Sequence, residues 1–163
     1  MKYFFCIETP LGKLTALEEE QRLTALLWGE TVFAGCCRKT DLLAQTEAEI
    51  KAYFRKELTR FSIPCLLRGT DFQKAVWQEL AQVPYGTTLS YQELAQRSGH
   101  PQACRAVGTA CSNNPINLII PCHRIVNKNG TAGNYRVGAE RKKSLLLLEK
   151  DNLPLFSHSV INL

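Results

Sequence analysis

The sequence predicts an α+β protein, in which a small N-terminal α+β unit (residues 1–66) precedes a mostly helical C-terminal unit (residues 67–163). Three observations point there. Segments 2–8, 13–18 and 22–28 read as strands, the last two joined across Glu18-Glu19-Glu20-Gln21 as a hairpin. Thr70-x-x-Gln73 and Ser90-x-x-Glu93 are capping boxes that each open a helix. Two short helices joined at Gly99 form a helix-turn-helix pattern.

Taken in order, the hairpin is followed by residues 40–58, where Leu43, Ile50, Tyr53, Phe54 and Leu58 fall at helical spacing. Residues 59–69, with Pro64 and Gly69, connect the two units. The first capping box predicts a helix over 71–82 with Phe72, Val76, Trp77 and Leu80 facing inward, and Val83–Thr88 stops it. The second opens a short helix that ends at Gly99. Pro101 suits the first turn of another helix running to about Ser112, and Asn113-Asn114-Pro115 breaks it. The apolar run of residues 116–120 then reads as a buried strand ending at Pro121. Leu145–Leu148 reads as the apolar face of a last helix.

Composition excludes several classes. With 163 residues and 45% hydrophobic content the chain can bury a real core. The run before Glu8 is too short for a signal sequence, and no stretch approaches membrane-spanning length. The seven cysteines are odd in number, irregularly spaced and lack a C-x-x-C pair, so neither a disulfide framework nor a zinc module is expected. Cys36 and Cys37 have no companion ligand nearby. Free thiols fit a reducing compartment, so a cytoplasmic protein without a membrane partner is expected; neither G-x-G-x-x-G nor a P-loop occurs, no metal site or cofactor is expected, and metal binding by the N-terminal unit is left open. A net charge of +5 is compatible with nucleic acid without requiring it.

The helix from Gln102 to Asn114 carries Ala103, Ala106, Gly108 and Ala110, with Arg105 its one long basic side chain. A major-groove reader needs several side chains that reach base edges, and this helix has almost none. Small residues allow close approach of backbone to a surface, and a lone arginine can wedge into a base stack, as side chains of minor-groove proteins do. The competing reading is a helix packed inside the protein with core alanines, and this helix alone leaves both open.

Residues 113–124 hold the densest chemistry. Cys122 sits behind Pro121 and ahead of His123 and Arg124. A free cysteine is among the most buried residue types, so a core thiol is the plain alternative. A nucleophilic cysteine needs a base to take its proton, and that base must be held. On a strand, neighbours face opposite sides, so a Cys122–His123 contact requires a turn or a bridging water. Glu149 is placed to orient the imidazole, although a glutamate at a helix end is more often solvated.

The run Ile120–Ile125 resembles the I/V-P-C-H-R-V/I signature of the O6-alkylguanine-DNA alkyltransferases, the methylated-DNA–protein-cysteine methyltransferases. Residues 90–95, 103–110, 113–116, 129–135 and 145–149 are similar in the same order and spacing, covering about residues 70–150. The resemblance implies a ribonuclease H-like N-terminal domain and a C-terminal domain that repairs double-stranded DNA containing O6-alkylguanine. Cys122 would accept the alkyl group irreversibly, once per molecule. His123 would relay its proton through a water, Glu149 would orient His123, and Asn114 would fix the cysteine loop. Tyr91 would protonate the departing purine. Arg105 would fill the gap left by a nucleotide extruded through the minor groove, with Tyr91, Gln92, Ala106, Gly108 and Lys128 also at the DNA. The loop 132–138, with Asn134, Tyr135 and Arg136, would close over the base, and Cys122 and Ile125 backbone groups would read its edge. The protein would act as a monomer, with cooperative binding, O4-alkylthymine repair and adduct size left open.

Two departures stand out. The loop reads Gly-Asn-Tyr-Arg-Val-Gly, with Arg136 and Val137 where a second glycine is frequent, and position 117 is Asn where some relatives carry proline. Neither is expected to touch the Cys122-His123-Glu149 set. An alkyltransferase-like lesion-binding protein without transfer is the main alternative, and the presence of Cys122 argues against it. A thiol hydrolase needs a distant histidine, and only His100 and His158 are available. A helix-turn-helix regulator lacks base-reading side chains.

Overall fold

Three strands fill most of the first twenty-eight residues: β1 (Lys2–Thr9), β2 (Gly12–Glu19) and β3 (Arg22–Trp28). The computed structural model describes residues 1–133 and 135–152. β1 and β3 flank β2 in antiparallel register, and a two-residue strand β4 (Cys36–Cys37) adds to β1 in parallel, giving the order β3-β2-β1-β4. The β2–β3 hairpin turns at Glu20 and Gln21, both with positive φ, as a tight two-residue turn matching strand twist requires. Helix α1 (Asp41–Phe54) packs on β1 and β2 through Leu43, Ile50 and Tyr53.

α1 ends four residues short of the expected Leu58. Lys56 adopts φ 64°, and the amides of Lys56 and Glu57 donate to the carbonyls of Tyr53 and Ala52, closing a Schellman motif. Glycine ordinarily signals that motif, and here lysine occupies the position.

The C-terminal unit begins with α2 (Asp71–Leu80), then β5 (Leu89–Ser90), α3 (Tyr91–Arg97) and α4 (Cys104–Ser112). Both predicted capping boxes form with both reciprocal hydrogen bonds. α3 closes on Gly99 at φ 80°, the His100 amide donating to Ala95 and the Gly99 amide to Gln96. α4 starts at Cys104 rather than Pro101, because Pro101 and Gln102 form a turn first. β6 (Ile125–Val126) pairs with β5 in parallel, and α5 (Ala139–Asp151) follows.

The expected strand at 116–120 does not form. Leu118 has φ 71°, and the Ile119 amide donates to the Asn117 carbonyl at 2.8 Å, a γ-turn. A second, inverse γ-turn follows at Pro121 (φ −83°, ψ 65°), closed by the Cys122 amide on Ile120. The free edge of β3 supports this loop: Leu26 donates to Pro115 and accepts from Asn117, and further along Leu23 pairs with Pro64 and Leu66. Two segments of the rest of the chain therefore cover a sheet edge that would otherwise expose unpaired amides.

The leucine run of α5 is not one face either. Consecutive residues wrap a helix, so Leu145 is fully buried while Leu147 is 59% exposed. The buried stripe is Lys142, Leu145 and Glu149, at spacings of three and four.

Candidate active site

The two γ-turns deliver Cys122 as the first residue of a 3-10 helix, Cys122–Arg124. On that tight turn Cys122 and His123 point apart, and each meets a different set of partners. The Cys122 sulfur accepts from Asn114 Nδ2 at 3.2 Å. Asn114 also donates to the Ile120 carbonyl and accepts from the Ile116 amide, so its carboxamide is fixed and the cysteine loop with it. The thiol faces Asn117 Oδ1 at 3.7 Å. Asn117 Nδ2 donates to the Leu26 carbonyl, which sets the amide so that its acceptor points at sulfur. Position 117 therefore touches the Cys122 sulfur, contrary to the expectation from sequence.

Behind Cys122 lies a buried polar cluster centred on Glu149, which is 1% exposed rather than solvated. Its carboxylate accepts from His123 Nε2 (2.7 Å), Tyr53 Oη (2.6 Å), Arg124 Nε (2.8 Å), Arg124 Nη2 (3.1 Å) and the Gly86 amide (3.3 Å). Arg124 also donates to the Val83 carbonyl. Burial opposes ionisation of Glu149, but hydrogen bonds from His123 and Arg124 and the charge of Arg124 outweigh it and hold the carboxyl far below its usual range. Burial pushes the His123 pKa down against the pull of Glu149, so the imidazole is neutral and Arg124 supplies the balancing charge. A neutral imidazole donating from Nε2 leaves Nδ1 as a bare acceptor, and Nδ1 is the buried side-chain atom without a partner among the described residues.

Cys122 is 5% exposed and lines a cavity of about 300 Å³. Trp28, Tyr91, Asn114, Asn117, Tyr135 and Val137 share its wall. Burial raises the thiol pKa, while hydrogen bonds from Asn114 and Tyr135 and the charge of Lys142 work the other way. Lys142, itself buried, donates from Nζ to the Ile125 carbonyl and lies 5.9 Å from the Tyr91 ring centre.

Tyr91 lines this cavity and also a neighbouring groove formed by Gln92, Arg105, Gly108 and Lys128. Gly108 faces the Tyr91 ring, which a Cβ there would meet at 3.9 Å, an ordinary packing distance. Arg105 and Ala106 are exposed on α4 and Gly108 is half-buried, whereas Val107, Ala110 and Cys111 enter the core on the other side. Arg136 donates to Asn113 Oδ1 at 3.0 Å and so ties the loop after Gly133 to the end of α4. Ile125 stands apart from the cavity wall, its side chain in the core. Asn134 and His158 lie outside the described residues, and His100 packs at the surface against Phe72.

The sequence reading missed Tyr53, Trp28 and Lys142 and gave Arg124 no role. Tyr53 and Trp28 read as core residues of the first unit, and Lys142 sits in a polar stretch that reads as solvated. Only Arg124, inside the quoted motif, carried a signal.

Fold and site together define a class: an α+β protein whose helix-turn-helix borders a cavity with a thiol at its wall. Family models agree. "6-O-methylguanine DNA methyltransferase, ribonuclease-like domain" matches residues 2–67, and "6-O-methylguanine DNA methyltransferase, DNA binding domain" matches residues 71–151. The constitutive methylated-DNA–protein-cysteine methyltransferase of Bacillus subtilis is 39% identical over 90% of this chain and 94% of its own length. Its counterpart in Mycobacterium tuberculosis is 40% identical over 94% and 96%. The crystal structure of Mycobacterium tuberculosis OGT in complex with DNA superposes with a TM-score of 0.87 at 40% identity, covering 94% of this chain and 96% of that one. This chain belongs to the methylated-DNA–protein-cysteine methyltransferase family.

Proposed function

We propose that this protein repairs DNA by moving the alkyl group of O6-alkylguanine onto Cys122, irreversibly and once per molecule. The observation that carries the reading is the Cys122 sulfur on the wall of a cavity that shares Tyr91 with the groove of the helix-turn-helix. An alkyl carbon on O6 is buried in stacked duplex, so the nucleotide must swing out to meet that sulfur, at a cost of a few kcal/mol, on the order of one weakened base step. Arg105, exposed on a helix of small residues, fills the gap it leaves. The DNA complex of a relative, the Mycobacterium tuberculosis OGT, supports DNA as the partner.

The chemistry follows from the atoms. His123 Nδ1, a bare acceptor because Nε2–H is committed to Glu149, takes the Cys122 proton through a bound water. The thiolate attacks the alkyl carbon in line, the S–C bond forms, and the C–O6 bond breaks with its electrons on guanine. Tyr91 donates a proton to the departing purine. Asn114 holds the sulfur in place. The thioether product has no hydrolytic exit, and neither metal nor cofactor takes part. All seven cysteines are free thiols, which supports work in a reducing cytoplasm.

Incubation with duplex bearing radiolabelled O6-methylguanine is expected to move label onto protein, saturating at one equivalent. A Cys122→Ser variant that takes up label at the wild-type rate rules the assignment out. Arg105→Ala is expected to slow reaction with duplex far more than reaction with the free base. Equal losses on both substrates remove the wedge role.

A further inference from the structure

We propose that Trp28, on the N-terminal sheet, is a positioning residue for alkyl transfer: its indole N–H, donated to the Tyr135 hydroxyl, turns the hydroxyl proton toward the Cys122 sulfur and makes it a stronger donor there. The inference rests on the reading of Cys122 as the alkyl acceptor. Trp28 Nε1 lies 3.3 Å from Tyr135 Oη, across 107 residues of sequence. Trp28, Tyr135 and Cys122 line the same cavity. The Tyr135 hydroxyl accepts from Trp28, which leaves its one proton free to point into the shared cavity at Cys122. A hydroxyl that accepts a hydrogen bond becomes a better donor, so the chain of two bonds is stronger at sulfur than Tyr135 alone.

Trp28 is itself held. The Arg141 guanidinium stacks 4.4 Å from its ring centre, and the same side chain donates to the carbonyls of Leu11 and Val137. That clasp joins the β1–β2 turn, β3 and the loop carrying Tyr135. β3 thus acts on the sulfur from two places: Leu26 turns the Asn117 acceptor toward it, and Trp28 turns the Tyr135 donor toward it. An acceptor at sulfur favours the thiol, and a donor favours the thiolate. The Trp28 bond acts on the side that lets the reaction proceed.

Trp28→Phe keeps an aromatic face for Arg141 and removes the N–H together with part of the ring's bulk. The test is the rate of Cys122 alkylation by iodoacetamide against pH, without DNA, with the modified site located by tandem mass spectrometry within the Ala106–Arg124 peptide. The expected result is a profile moved up by about half a pH unit, roughly a threefold loss below the midpoint, with the high-pH plateau unchanged. Tyr135→Phe moves it at least as far, and adding Trp28→Phe to that variant moves it no further. An unmoved midpoint, or a full additional shift in the double variant, overturns the proposal. A second measurement needs no variant: the Trp28 indole N–H resonance of the wild type titrates with the Cys122 midpoint, and a resonance flat across that range overturns it equally. Because no DNA is used, failure of this test and failure of label transfer are separate outcomes.

Discussion

Replacing Glu149 by glutamine tests the cluster on which the site is built. The change keeps size and shape but removes a buried negative charge that five hydrogen bonds converge on, from His123, Tyr53, Arg124 (two) and Gly86. The new amide turns a donor toward groups that are themselves donors, and Arg124 stays buried with no counter-charge. Breaking a buried pair from one side costs about 3–5 kcal/mol, which for a chain of this length lowers the melting temperature by roughly 6–20 °C. The assay is thermal melting by circular dichroism from pH 7 to pH 3. Because the folded pKa of Glu149 is depressed, its stabilisation is present above the unfolded value of about 4.3 and is lost as pH falls toward the folded value. The gap between wild type and variant therefore closes below about pH 4.3. His123, also depressed, makes the wild type lose stability from about pH 6.5 downward. Arg124→Met on top of Glu149→Gln removes the stranded cation, so the double variant should be more stable than the sum of the single losses by about 1 kcal/mol or more. Additive losses, or curves that stay parallel down to pH 3, refute the reasoning.

Asn117→Ala removes the acceptor facing the Cys122 thiol, so the cysteine midpoint should fall and its alkylation by iodoacetamide at neutral pH should rise about two- to threefold; a slower rate contradicts the role given to Asn117. Leu118→Gly relieves a left-handed backbone worth about 1–2 kcal/mol but empties a fully buried site worth about 2–5 kcal/mol. Chemical denaturation should show a net loss of about 1 kcal/mol or more, and a gain in stability would mean that strain dominates there.

What was legible in the sequence was local. Capping boxes at Thr70 and Ser90 and the Gly99 closure are each written within a few residues, and all form as read. The end of α1 was not legible, since Lys56 takes a conformation that glycine normally announces. The run 116–120 read as a strand because its apolar content is that of a strand. Its backbone is instead satisfied by γ-turns and by Leu26, a partner about ninety residues away in sequence. Cys122, His123, Asn114 and Glu149 were named from their motif, and His123 meets Glu149 as that reading requires. Tyr53 and Trp28 reach the site over sequence separations of 96 and 107 residues, and no local pattern encodes such a contact.

The environment of the sulfur explains why these distant partners matter. Burial and the Asn117 acceptor favour a protonated thiol, whereas Asn114, Tyr135 and Lys142 favour the thiolate. The neutral His123 beside it stabilises neither form by charge, because Arg124 already balances Glu149. Burial outweighs these donors, so the thiol stays protonated at rest. In the proposed reaction each molecule has one sulfur to use, so a resting thiolate would be lost to oxidation or stray alkylation before meeting a lesion. In that reaction a base entering the cavity desolvates the sulfur further but also excludes the water that competes with its donors, and so strengthens the hydrogen bonds available to a thiolate, that from Asn114 included. The donors that tip the balance are thus ones whose strength depends on the cavity being filled. On the proposed reading this ties formation of the nucleophile to the presence of its target and gives the N-terminal sheet, through Leu26 and Trp28, a share in the control of that step.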